Sequence, residues 1–123
     1  MKAVKLFTAG AVLTVAVSLA GAQNNAPAAA PDGAVLYQNY CAACHMSDGR
    51  GAEGAGRYPN LPGNPAVEVS PQLGVTRILK GMGAMPSFAS QSNENVAAIV
   101  NHVRTGLNSA TDEIDAEFVE AMR

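Results

Sequence analysis

The chain has 123 residues, 48% hydrophobic and 15% charged, with a formal net charge of −2 and no tryptophan. That length makes one domain the expectation. Without Lys2 and Lys5 at the extreme N-terminus, six basic residues face ten acidic ones, a net of −4, which excludes the basic stripe that a nucleic-acid partner requires.

Residues 1–5 carry two lysines, residues 6–19 carry no charge, and Ala20, Gly21 and Ala22 follow. A basic start, an apolar run and an A-x-A end form the pattern of a secretory signal cut after Ala22. The competing reading is an uncleaved anchor, which would give the chain a membrane contact of its own. Export to the periplasm is the expectation adopted. Residues 23–31 (QNNAPAAAP) have no periodicity and form a linker.

Asp32 then stands as an N-cap, and Val35, Leu36, Tyr40 and Ala43 make a rough helical stripe that runs into Cys41-Ala42-Ala43-Cys44-His45. Residues 48–56 (DGRGAEGAG) and 58–65 (YPNLPGNP) are loops rich in glycine and proline. A punctuated helix follows, with Ser70 as N-cap, Pro71 at the first position, Gly81 past the end, and Val75, Ile78 and Leu79 on one side. Residues 81–90 (GMGAMPSFAS) are a second irregular loop. Ser92 caps another helix whose Val96, Ile99, Val100 and Val103 share a face, and Gly106 ends it. A last helix is expected over about 111–122, with Ile114, Phe118 and Met122 at steps of four. The fold class is therefore all-α, about four to five short helices joined by long loops. The division is a signal over 1–22, a linker over 23–31, a domain over 32–108 and a C-terminal helical extension over 109–123. Loops this long in a small domain need something to wrap.

The only two cysteines sit three residues apart with His45 directly after them. Three chemistries want such a turn: a redox dithiol, half of a zinc site, or covalent haem attachment. The dithiol calls for a βαβ context, and no strand pattern is present. Zinc calls for four donors, and His102 alone remains. The C-x-x-C-H spacing suits two thioether bonds to one porphyrin with an imidazole beneath the iron. Haem is the chemistry that the surroundings support.

With GAVLYQNYCAACH, YPNLPG and GMGAMPSF followed by an amphipathic helix, residues 32–106 resemble the class I, mono-haem c-type cytochromes. Gly63-Asn64-Pro65 and the tail make the likeness greatest to small bacterial periplasmic cytochromes that accompany dehydrogenases. The resemblance implies a small cytochrome c fold around one covalently bound haem c. Cys41 and Cys44 would carry the thioethers, and His45 would be the proximal iron ligand. The carbonyl of Pro59 would fix the His45 ring, and Leu61 would pack in the haem pocket. Among the methionines, Met46 follows His45 too closely and Met122 lies in the tail. Of Met82 and Met85, only Met85 matches the distal Met-Pro pair, so Met85 is the expected distal iron ligand. Val75, Ile78, Leu79, Phe88 and Val100 are expected as further wrapping, and Arg50, Arg57, Tyr58 and Asn64 are the available donors to the propionates, with no order among them. His102 departs from the pattern, since an aromatic usually stands there against the N-terminal helix near Gly33 and Tyr37. The plain expectation is a packing histidine bonded to a backbone carbonyl; the sharper one is a pH-sensitive helix contact or a substitute ligand.

These residues imply a one-electron carrier and not an enzyme. Its partners would be redox proteins, a dehydrogenase or respiratory complex on one side and a terminal oxidase or other acceptor on the other. A fixed subunit of a dehydrogenase, and a gas-binding haem protein with a displaceable sixth ligand, are the rival expectations.

Overall fold

The computed structural model describes residues 29–54 and 56–123. The expected signal and most of the linker lie outside them. Among the described residues the chain forms six α-helices and one π turn, and no named strand. The helices are α1 (Gly33–Tyr40), α2 (Ala42–His45), α3 (Pro65–Val69), α4 (Pro71–Lys80), α5 (Asn93–Asn101) and α6 (Ala116–Glu120). The π turn, His102–Gly106, continues α5.

Local chemistry sets most of these boundaries. The Asp32 carboxylate accepts from the amides of Ala34 and Val35 and starts α1. Ser70 accepts from Leu73 N and Pro71 opens α4, while Gly81, at φ 71°, ends it. Ser92 accepts from Asn95 N at the start of α5. Two boundaries differ from expectation. Helix α3 occupies a stretch where no helix was assigned, because Asn64 caps Ala66 N and Pro65 takes the first helical position. The last helix starts at Ala116 and not near 111. Asn101 takes both backbone groups of Ile114: its amide donates to Ile114 O at 2.8 Å and its carbonyl accepts from Ile114 N at 2.9 Å. Ile114 is thereby withdrawn from a helical ladder, and Asp115 caps α6 by accepting from Phe118 N.

Helix α5 is the hub. It packs against α1, α4 and α6. Val96, Ile99 and Val100 meet Val75, Ile78 and Leu79 of α4 and Val119 of α6 in one core. Val75, Val96 and Val119 are completely buried, and a fully buried side chain of this kind contributes about 1.5–3 kcal/mol. Residues 109–123 thus share the core of the domain, with Ile114, Phe118 and Met122 packed against it. The α1–α5 crossing depends on Gly33, where a Cβ would run into the carbonyl oxygen of Ala98.

One buried cation ties the periphery together. Arg104, 2% exposed, donates to Glu68 O twice, to Asp112 O and to both oxygens of the Asp112 carboxylate. It joins the end of α3, the π turn and the segment leading to α6. Each of its three nitrogens has an acceptor, as a buried guanidinium requires.

Candidate functional site

The turn at Cys41–His45 is closed by its own backbone. Cys44 N and His45 N both donate to Cys41 O, at 3.1 and 2.9 Å, and Met46 N donates to Ala42 O at 2.9 Å. Cys41 and Cys44 therefore project to one side of a single helical turn. They are not joined in a disulfide. Burial, and then the neighbouring Cys44, push the Cys41 thiol up to about 11. Met46 leaves the turn at φ 63°, outside the ordinary range for a side-chain-bearing residue, and its carbonyl is held by the Tyr37 hydroxyl at 2.9 Å.

The chain after the turn folds back beneath His45. Gly51 N donates to His45 O at 2.9 Å, and Leu61 N donates to Gly49 O at 2.8 Å. This brings the carbonyl oxygen of Pro59 to 3.3 Å from His45 Nδ1. With its proton on Nδ1, the ring donates there and keeps the Nε2 lone pair free. Leu61 is half-buried.

The two methionines of the 81–90 loop part company. Met82 and Met85 pair their backbones across a tight turn, Met82 N to Met85 O at 3.1 Å and Met85 N to Met82 O at 3.0 Å. Met82 is 59% exposed, whereas Met85 is half-buried and packed against the core with Phe88. The loop is fastened to α4: Phe88 N donates to Ile78 O at 2.8 Å and Ser87 Oγ to Leu79 O at 2.6 Å. The ring of Phe88 meets Tyr40 edge-on at 6.2 Å.

The donor set fits a covalently held haem. It offers two thiols on one turn, an imidazole 3.3 Å from Pro59 O through Nδ1, and a half-buried thioether on a fastened loop. Among the described residues, no three His, Cys, Asp or Glu side chains cluster as a metal site. Residues 28–103 match the family described as cytochrome c oxidase, cbb3-type, subunit III. The chain belongs to this cytochrome c family. It is 33% identical over 107 residues to the fructose dehydrogenase cytochrome subunit of Gluconobacter japonicus, covering 75% of this chain and 22% of that protein. It is 34% identical over 95 residues to cytochrome c-552 of Thermus thermophilus, covering 64% and 70%. With cytochrome c6 of Microcystis aeruginosa the identity is 37% over 78 residues, covering 58% and 90%. The chain thus spans under a quarter of the dehydrogenase subunits it matches, the second being the alcohol dehydrogenase (quinone) subunit of Gluconobacter oxydans at 24%. The family's cofactor is covalently bound haem c, and Cys41, Cys44 and His45 form its C-x-x-C-H arrangement.

Other expected contributors fall in several places. Val75, Ile78, Leu79 and Val100 are covered by protein alone and build the core. Arg50 pairs with Asp48 at 3.5 Å and Arg57 with Glu53 at 3.4 Å, all four exposed. Asn64 caps α3, and Tyr58 is 37% exposed. His102 packs its ring 5.2 Å from that of Tyr37, at the α1–α5 crossing. The expected bond to a backbone carbonyl is absent: His102 Nε2 is buried without a partner, and desolvation holds the imidazole below its ordinary pKa, with Asp32 pulling the other way. One residue that sequence reasoning passed over also reaches the loop below His45: Asn108 donates to Leu61 O, 47 positions away, and no local pattern announces such a contact.

Proposed function

We propose that this chain is a one-electron carrier of the periplasm. One haem c would be bound through Cys41 and Cys44, with His45 and Met85 as its axial ligands. The single observation that carries the ligand assignment is the contrast between an inward, half-buried Met85 and a Met82 that is 59% exposed. The haem, when bound, takes up and gives back one electron at its iron. The protein's part is to hold the group still. With the proton on Nδ1, His45 donates to Pro59 O, which would fix the ring and leave Nε2 to hold the iron. Pro86 restricts the backbone beside Met85, and the bonds of Ser87 and Phe88 to α4 keep the thioether in place. Leu61 and Phe88, both half-buried, would help to exclude water. His45 and Met85 would together hold the iron from the protein and leave no place on it for a substrate, which is the arrangement of a carrier. A histidine and methionine ligand pair would favour the reduced state relative to two histidines.

The electron donor would be a dehydrogenase or respiratory complex, and the acceptor an oxidase or another redox protein. A second reading, a fixed cytochrome subunit of a dehydrogenase, is favoured by the relatives that carry that name. Diffusing carrier and fixed subunit separate on purification under mild conditions, where the carrier leaves alone. The ligand assignment is tested by Met85→Ala against Met82→Ala. The Met85 change should abolish the methionine–ferric-iron absorption band and the Met82 change should leave it. The opposite pattern overturns the assignment. Rapid carbon monoxide binding by the native ferrous protein at neutral pH would overturn the carrier reading itself.

A further inference from the structure

We propose that Asn108 is a positioning residue for His45. It would act by holding the loop whose Pro59 carbonyl orients the imidazole. The Asn108 side chain makes three bonds. Its Oδ1 accepts from Gly63 N at 2.7 Å, and its Nδ2 donates to Leu61 O at 3.2 Å and to Val103 O at 2.8 Å. Two of these grip the loop, and the third anchors the amide to the π turn.

The loop has few other means of attachment. Pro59 and Pro62 have no N–H to donate. Residues 58–64 lie in no helix, and the side chain of Asn60 bonds within the loop, to Pro62 O at 3.1 Å. Leu61 N on Gly49 O and the Asn108 clasp are thus the main ties between residues 61–63 and the rest of the chain. The π turn places the clasp. Leu107 N donates to His102 O at 3.0 Å, five positions back, so the helix end is wider by one residue than an α-helix would be. Leu107 then packs beside Gly49, where a Cβ would press on its side chain, and Asn108 arrives over Leu61 and Gly63. An α-helical end would turn each of these residues about 100° away from that position.

The bond that matters is sensitive to such a clasp. At 3.3 Å, the His45 Nδ1 to Pro59 O separation is at the long end for N–H···O. A loop displaced by a few tenths of an ångström loses it. A histidine ligand that loses its partner becomes less basic and holds the oxidised metal less well. Loosening Asn108 should therefore raise the reduction potential.

The proposal rests on His45 being an iron ligand. The test compares the midpoint potentials of the haem-loaded wild type, Asn108→Ala and Asn108→Ser with that of Asn101→Ala. Asn101→Ala also loses two bonds, to Ile114, but touches no part of the loop. Both Asn108 variants should shift to higher potential and show faster amide exchange at Leu61 and Gly63. Asn101→Ala should lower thermal stability and leave the potential where it was. Unchanged potentials in the Asn108 variants, or an equal shift in Asn101→Ala, overturn the proposal and leave the haem reading intact. A wild type that carries no covalent haem overturns both.

Discussion

Replacing Gly33 by alanine should destabilise the protein, against the usual sign of such a change. Alanine in a helix is favoured over glycine by up to about 1 kcal/mol. At Gly33 the added Cβ would enter the contact distance of Ala98 O, a backbone atom in the middle of α5 that no rotamer change can move. The helices must separate. Overpacking of this kind costs ~1–3 kcal/mol. Separation also opens the seam that keeps Tyr37 at 0% exposure, and a fully buried aromatic contributes ~1.5–3 kcal/mol, part of which is lost. Set against the helical gain, the net loss is about 2 kcal/mol, which for a domain of this size is a fall in Tm of about 10 °C. Thermal unfolding followed by circular dichroism on holo-protein measures it. A Gly33→Ala variant as stable as the wild type, or more so, would refute the close α1–α5 crossing.

Arg104→Met removes a buried guanidinium and leaves Glu68 O and Asp112 O without donors, so chemical denaturation should show a loss of about 3 kcal/mol; a loss under 1 kcal/mol would mean that the clasp is idle. His102 supplies a pH dependence with a definite sign. Its folded pKa lies below the ordinary histidine value because burial penalises the charged form. The unfolded chain therefore binds more protons as pH falls through the ordinary histidine range, and stability present above that range is lost on acidification. His102→Phe should flatten that acid-side decline in Tm, and an unchanged profile would assign the decline to other groups.

The haem-binding turn was the most legible part of the sequence for a physical reason. Attachment through two thiols and an adjacent imidazole needs contiguous residues, so the whole chemistry sits in one string. Caps at Asp32, Ser70 and Ser92 were legible in the same way, since each side chain bonds an amide two or three positions on. The apolar stripes of α4 and α5 showed the burial of Val75, Ile78, Leu79 and Val100, which were expected to wrap a haem, whereas the structure sets them on one another. Helix α3 was hidden by prolines that resembled a loop until Asn64 was seen to cap it. The late start of α6, the unpartnered His102 and the clasps of Asn101, Arg104 and Asn108 depend on contacts distant in sequence. Met85 was separable from Met82 on sequence only through the family likeness, and its burial is an independent, spatial distinction.

The central claim is that Cys41 and Cys44 are the anchors of one haem. The most direct measurement is the intact mass of the exported protein under denaturing conditions. The account predicts the chain from Gln23 to Arg123 plus one haem that stays attached after unfolding. A mass equal to the bare chain, or to the chain less two hydrogens for a disulfide, would contradict it.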